Sequence, residues 1–461
     1  MKSLSISSAI KSLKNKEISS AELVSACLSK IKEKDSSLNS FITVCGKEAL
    51  RQAKKADELI LKGEADKKPL LGIPIAIKDL YSTKGIKTTA GSKLLKDYTP
   101  VYDATSVSRL RKAGAIIIGK TNLDAWGHGS SGENSDFGPT KNPFDENFVP
   151  GGSSSGSAAS LASDMALAST GTDTGGSIRL PASFCNLFGL KPTYGLVSRY
   201  GVIAMASSLD CMGHFTKTVE DSARLLKITA GKDNLDATSS DKKVPDYLSF
   251  LDKPIGDLKI GIPKEYFEKG IDKKILKRMD EVIKFYKKLG IKVLEVSLPH
   301  TKYALSSYYV IMPSEVSSNL ARFDGIRYAS KRNEFSLEAK RRIMIGTYTL
   351  SSGYYDQYYL KAMKARTLII KDFENVFSKV NLLLSPVSPQ MPFKLGEKID
   401  DPIAMYMSDV LTAPASLAGL PALSVPAGFI DKLPIGFQLI GDRFSEELLF
   451  QAANAYEREN K

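Results

Sequence analysis

GGSSSGSAASLASDMALASTGTDTGGS, residues 151–177, consists of two glycine-serine clusters joined by small residues. Glycine-serine composition alone describes a flexible tether. A tether carries little hydrophobic patterning, whereas Ala158, Ala159, Leu161, Ala162, Met165, Ala166, Leu167 and Ala168 predict a buried helix followed by a short strand. The glycines therefore shape turns around a packed core. Well upstream, Lys78 closes the apolar run LLGIPIAIK, which reads as a buried strand carrying a lysine to its end.

Outward from this segment, strand patterns alternate with helical ones. Strands are expected at Ile73–Ile77, Ala115–Ile118, Lys259–Ile262, Val293–Val296, Leu382–Leu384, Leu423–Val425 and Ile435–Ile440. Helical periodicity falls on Ala104–Lys112, Lys273–Leu289, Leu360–Phe377 and Ser445–Arg458. This alternation predicts an α/β fold, a mixed central sheet covered by helices on both faces. The first 65 residues read as helical: Ser19 and Glu22 have capping-box spacing before a stripe of Leu23, Val24, Cys27, Leu28 and Ile31. We expect residues 1–65 to form a helical segment packed on a single continuous domain, residues 66–461. The polar stretch 231–246, GKDNLDATSSDKKVPD, fits a long surface loop or a boundary.

Composition excludes several classes. The 461 residues are 43% apolar and 25% charged, as in an ordinary globular protein. No stretch approaches the ~18 apolar residues of a membrane span, and MKSLSISSAIKSLKNKE lacks a signal-peptide core, so a cytoplasmic protein with no membrane partner is expected. Cys27, Cys45, Cys185 and Cys211 are too few and scattered for a disulfide framework or a zinc site, and no metal is expected. A formal charge of +13 invites an RNA contact. Its densest run, from Lys273 to Lys288, alternates with Ile275, Met279, Val282, Ile283 and Tyr286 and fits a solvated amphipathic face better.

Three chemistries compete for the glycine-serine segment. Gly171 and Gly176 have phosphate-loop spacing, but Ser177 stands where that loop needs its lysine. Gly152, Ser154 and Gly156 spell a G-x-S-x-G nucleophile elbow. That elbow needs an apolar strand before it, which NPFDENFVP is not, and a partner from His128, His214 or His300. The third reading is a serine-serine-lysine relay, in which a neutral lysine deprotonates a serine. Neutrality at pH 7 costs about 5 kcal/mol from a reference pKa of about 10.4, and burial supplies a shift of that size. Alternatively Lys78 pairs with Asp79 and does no chemistry. Thr174-Gly175-Gly176-Ser177 permits a tight turn into a helix, where successive N–H groups of Thr174, Gly175 and Gly176 can converge as an oxyanion hole beside Ser177. A plain N-cap serine fits the same residues.

Lys78, GGSSSG at 151–156 and GTDTGGSIRLPASFCNLFGLKPTYGLVSRYG at 171–201 resemble the amidase signature family. The resemblance implies that family's fold, with Ser177 as nucleophile, Ser153 as a bridging serine after a cis Gly152–Ser153 peptide, and Lys78 as base. The segments at 308–328, 340–362 and 434–447 are similar to the subfamily serving as the glutaminase, or A, subunit of tRNA-dependent amidotransferases. That similarity implies hydrolysis of glutamine to glutamate and ammonia, with no cofactor in this chain. A B subunit, using ATP and Mg, would pass the ammonia to misacylated Glu-tRNA(Gln) or Asp-tRNA(Asn), and a small C subunit would complete a heterotrimer. Glutamine would be held by Arg342 on its α-carboxylate and Asp409 on its α-amino group, with Tyr308 nearby; Arg341 is the alternative clamp. Between Tyr328 and Lys340 the chain is shorter than the subfamily pattern. A stand-alone amidase acting on another small amide is the rival reading.

Overall fold

A computed structural model describes residues 4–268, 270–326 and 331–460. Eleven strands form one sheet: β1 (Phe41–Val44), β2 (Pro74–Lys78), β3 (Ile116–Thr121), β4 (Ala168–Asp173), β5 (Phe188–Lys191), β6 (Cys211–Thr216), β7 (Lys259–Pro263), β8 (Lys292–Val296), β9 (Leu382–Pro386), β10 (Ala422–Ile430) and β11 (Leu433–Gly441). Their spatial order is β1-β3-β2-β4-β6-β5-β10-β11-β9-β7-β8. The pairs β3–β2, β2–β4, β9–β7 and β7–β8 are parallel and the remainder antiparallel, so the sheet is mixed, and helices flank it.

All seven expected strands are present, shifted by a few residues at their ends. The central ones are buried along their whole length, which is why they read as apolar runs and not as alternation. Four expected helices also form, at Thr105–Lys112, Lys273–Lys288, Lys361–Phe377 and Glu446–Glu459. In the lysine-rich one Ile275, Met279, Val282 and Tyr286 are buried, leaving its cations on the outer face.

The N-terminal segment is not purely helical. Ser19 and Glu22 do close a capping box on helix Ser20–Leu38. The chain then turns at Asn39 (φ 54°) and adds β1 antiparallel to β3 as the edge strand. The backbone N–H groups of Ile6 and Ser7 donate to the Asp221 carboxylate at 2.8 and 2.9 Å, tying the first helix to helix Val219–Thr229. The polar stretch 231–246 forms neither helix nor strand. Tyr328, at the start of the connection expected to be shortened, lies outside the described residues; helix Leu337–Thr349 follows.

The glycine-serine segment is interior. Its first cluster leads into the buried helix Ser155–Ala162, its middle supplies β4, and its second cluster turns into helix Arg179–Phe184. Because β2 and β4 are parallel, their C-terminal ends lie at the same edge of the sheet, where open α/β sheets place their chemistry. Lys78 is the last residue of β2, and β4 runs directly into Thr174–Ser177.

Candidate active site

Lys78 is completely buried, and its backbone N–H donates to Thr170 Oγ1 at 2.9 Å, holding the strand end against β4. Its Nζ lies 2.9 Å from Ser153 Oγ, 2.8 Å from Ser154 Oγ and 2.8 Å from Thr172 Oγ1. Among the described residues no carboxylate comes within 4 Å of it; Asp79 instead pairs with Lys120 at 2.9 Å. Burial pushes the Lys78 amine down to about 7, against the opposing charges of Asp124, Asp173 and Asp210. A neutral amine has two N–H donors and one lone pair. Ser154 gives its proton to the Thr172 carbonyl at 3.3 Å, so it accepts from Lys78. Ser153 or Thr172 is then left to donate into the lone pair.

The Gly152–Ser153 peptide is cis. Glycine is required before it, because a Cβ at Gly152 would lie 2.1 Å from Asp124 Oδ2 and 2.8 Å from Ser131 N. Asp124 N–H donates to the Ser153 carbonyl at 3.2 Å, and Ser154 N–H to the Ser177 carbonyl at 3.3 Å, so the two serine clusters are lashed together. Lys78 and Ser153 are closed off from solvent while Ser177 is only half-buried. Of the three, only Ser177 is within reach of solvent.

The turn before Ser177 is held from below. Asp173 accepts from the N–H groups of Ile178 and Arg179 at 3.2 and 3.3 Å, and from the Arg179 guanidinium in a two-pronged contact at 3.0 Å each. Burial alone would raise the Asp173 pKa, but Arg179 more than offsets this and the net direction is down. Arg179 continues to Gln438 and Ser416 at 3.0 and 2.9 Å, so the ion pair is fully hydrogen-bonded, as a buried pair must be. Among the described residues the backbone N–H groups of Thr174, Gly175, Gly176 and Ser177 have no protein acceptor. Buried orphan donors are rare, and a row of them beside a hydroxyl can receive a developing negative charge.

The remaining sequence-selected residues converge on the same turn. A Cβ at Gly175 would lie 2.6 Å from the Tyr308 phenol, and one at Gly176 would lie 2.3 Å from Thr412 Oγ1 and 3.4 Å from Asp409 Oδ1. Asp409 accepts from Ser130 Oγ at 3.0 Å and Tyr309 Oη at 2.9 Å, and burial pushes its carboxyl up to about 6. Arg342 lies 5.8 Å from the centroid of that same Tyr309 ring, which stacks on Tyr406 at 3.8 Å. Its Nε donates to Glu338 Oε1 at 2.8 Å. Burial would lower the Arg342 pKa, but Glu338 and the surrounding tyrosines reverse the direction, so the guanidinium stays charged. Arg341 points outward to the other Glu338 oxygen with its side chain 43% exposed. Of the two candidate arginines, the interior one is Arg342.

No histidine is hydrogen-bonded to Lys78, Ser153 or Ser177 among the described residues, although His128 is buried near enough to Arg342 for that cation to help hold its pKa down. His214 Nε2 is 2.8 Å from Ser222 Oγ, His300 pairs with Asp372 at 2.8 Å near the surface, and neither ring nitrogen of His128 has a partner among the described residues. Gly171 lies inside β4, not in a phosphate loop. Ser154, weighed in sequence only as an elbow nucleophile, is a hydrogen-bond partner of Lys78, and several neighbours escaped sequence reasoning: Thr172, Asp124, Ser130, Tyr309 and Glu338. The one usable signal was a further glycine-serine cluster, GHGSSG at 127–132, which supplies Ser130.

The amidase family matches residues 22–450. The A subunit of glutamyl-tRNA(Gln) amidotransferase from Carboxydothermus hydrogenoformans is 54% identical over 461 residues, covering 97% of this chain and 95% of the relative. The solved structure of the glutamyl-tRNA(Gln) amidotransferase A subunit from Thermotoga maritima superposes with a TM-score of 0.84 at 43% identity, covering 99% of this chain and 94% of that one. Native peptide amidase from Stenotrophomonas maltophilia has nearly the same fold, with a TM-score of 0.83, at 28% identity over 99% of this chain and 97% of that one.

Proposed function

The chain belongs to the amidase family, and on that premise we propose that it is the glutamine-hydrolysing A subunit of a tRNA-dependent amidotransferase. One observation carries the substrate assignment: a buried cation, Arg342, and a buried anion, Asp409, share the Tyr309 side chain beside the Ser177 turn. A free α-amino acid is a zwitterion and needs one of each at its head end. An amidase for uncharged amides has no use for that pair. The identity gap points the same way, 54% to an amidotransferase subunit compared with 28% to a peptide amidase.

In this mechanism Arg342 takes the α-carboxylate, Asp409 the α-ammonium, and Tyr308 closes the wall beside Gly175. Neutral Lys78 accepts the Ser153 proton while Ser153 takes the proton of Ser177. Ser177 Oγ attacks the side-chain amide carbon, and the oxyanion falls to the free N–H groups of the 174–177 turn. Collapse expels the nitrogen, which collects the relayed proton through Ser153 and leaves as ammonia. Water, deprotonated by the same relay, then cleaves the γ-glutamyl ester to release glutamate. The ammonia passes to a B subunit that holds ATP and Mg and amidates Glu-tRNA(Gln), or Asp-tRNA(Asn), in a cytoplasmic heterotrimer completed by a C subunit. This chain itself uses no cofactor in the scheme.

The purified complex should release ammonia from glutamine and convert Glu-tRNA(Gln) to Gln-tRNA(Gln) with ATP. Hydrolysis of simple aliphatic or peptide amides in preference to glutamine would overturn the assignment. Asp409→Asn should raise KM for glutamine roughly 10- to 100-fold, the worth of one charge-assisted hydrogen bond, with a much smaller change in kcat. Because the folded Asp409 carboxyl titrates near 6, it becomes neutral as the pH falls through that value. Wild-type KM should therefore climb below about pH 6, and the climb should be absent in Asp409→Asn.

A further inference from the structure

Of the three histidines, only His128, in the cluster GHGSSG at 127–132, has a ring with no hydrogen bond among the described residues. Just before it, Trp126 and Gly127 both take left-handed backbone, φ 62° and 82°, which a tryptophan adopts only where its surroundings enforce it. The Trp126 ring is wedged against Phe323 and Phe335, with centroids 4.7 and 5.3 Å away. This turn carries the chain across the candidate pocket. On one side of His128, a Cβ at Gly127 would lie 3.8 Å from Ser153 Oγ; on the other, Ser130 Oγ donates to Asp409 at 3.0 Å. The His128 backbone is pinned between them, its N–H donating to the Ala125 carbonyl at 3.0 Å and its carbonyl accepting from Asn134 Nδ2 at 3.0 Å. The side chain is completely buried, yet Nδ1 and Nε2 both lack a partner among the described residues. A buried polar atom without a partner is costly, and an apolar side chain would fill the same space without that cost.

We propose that His128 is a further glutamine-binding residue, its ring N–H donating to the α-carboxylate beside Arg342. This role rests on the functional reading above and adds a residue to its carboxylate subsite. Burial and the Arg342 charge together hold the imidazole well below its ordinary pKa, so the ring is neutral and keeps one N–H donor and one lone pair. The reach of that charge also puts the ring at the carboxylate end of the pocket. Arg342 needs the help. Its Nε is committed to Glu338 Oε1 at 2.8 Å and its Nη1 turns one proton to Met312 Sδ at 3.3 Å. An ionised carboxylate has about four lone-pair sites, more than the N–H groups the guanidinium has left. At the other end of the zwitterion Asp409 supplies a whole negative charge, so the ammonium has less use for an imidazole.

The test compares wild type, His128→Leu and His128→Asn, each as the full chain co-purified with its partner subunits, in hydrolysis of glutamine. Leucine removes both ring nitrogens, and asparagine draws the donor back toward the backbone. KM for glutamine should rise roughly 10- to 100-fold in His128→Leu and about tenfold in His128→Asn, with kcat within about threefold of wild type. 4-Aminobutanamide, which is glutamine without its carboxylate, should compete equally well for all three proteins, because the lost N–H has nothing to meet there. An unchanged KM for glutamine in a folded variant overturns the proposal. So does a loss confined to kcat, or an equal loss of affinity for glutamine and 4-aminobutanamide, either of which would mark a ring that acts on the chemistry or only shapes the pocket. If leucine prevents folding, the asparagine variant decides on the same terms. A wild-type complex that does not hydrolyse glutamine removes the functional reading and the His128 contact with it. Normal hydrolysis by wild type and by both variants removes only the contact.

Discussion

Ser177→Ala is expected to lower glutamine hydrolysis about 10⁴-fold or more, while glutamine affinity changes only a few-fold. The size follows from the relay acting as a unit: losing the nucleophile leaves only binding and the orphan N–H groups, and comparable hydroxyl-dependent hydrolases lose factors of ~10⁴ to 10⁶. Affinity survives because the proposed clamp, Arg342 and Asp409, is built from other elements, helix Leu337–Thr349 and the turn at Met407–Asp409. The fold survives because the Ser177 side chain has no hydrogen-bond partner among the described residues; only its carbonyl is used, by Ser154 N–H. Ammonia release and calorimetric binding of glutamine measure the two halves separately. Retention of more than about a hundredth of wild-type turnover would take Ser177 out of the nucleophile role, since one oxyanion donor alone is worth ~10² to 10³.

Lys78→Met should be comparably damaging to activity and should, at neutral pH, leave the fold at least as stable. The two effects have one origin. The folded Lys78 pKa, about 7, lies below its ordinary value of 10.5. The unfolded chain therefore binds the proton more readily than the folded one across that window. Lys78 accordingly costs stability, most fully below pH 7, and the cost is relieved as the pH rises from about 7 toward 10.5. It is of the order of a few kcal/mol, which burial of Ile73, Ile75 and Ile77 at ~1.5–3 kcal/mol each can offset. Methionine fills a similar volume without that penalty. In the wild type, kcat should rise through pH about 7 as the amine loses its proton, and it should stay flat above until another group titrates. An activity that falls as the pH rises through 7, or a Met variant with near-normal turnover, would show that the amine does not act as the base.

Much of this architecture could be read locally, and the exceptions have physical causes. β2 announced itself because PIAIK is apolar until its final residue. β5 and β6 did not, because FGLK and CMGHFT are short, fully buried and broken by glycine, lysine and histidine. β4, ASTGTD, is fully buried yet built from small polar residues, some of them bonded to the lysine and its neighbours. The apolar pattern that predicts a short strand here ends at Ala168, where β4 begins, because hydrophobic periodicity does not register polar residues whose groups are satisfied internally. Asp79 follows Lys78 directly and was the obvious partner in sequence, but alternation across the strand end turns it toward Lys120.

Residue order alone dictates that a lysine stands at the end of a buried strand, that glycine turns flank two serine clusters, and that the chain carries an amidase pattern. Those properties are local, written in apolar runs and in residues that only a tight turn accepts. Packing of distant segments is what brings Lys78 to hydroxyls and, among the described residues, to no carboxylate, makes Arg342 the interior arginine, and sets Asp409 beside Gly176. Each of those outcomes depends on desolvation and on partners far away in the chain, as with Lys78 and Ser153, 75 positions apart. A charge's surroundings, unlike its helix or strand, are set by which remote segments the sheet order brings together.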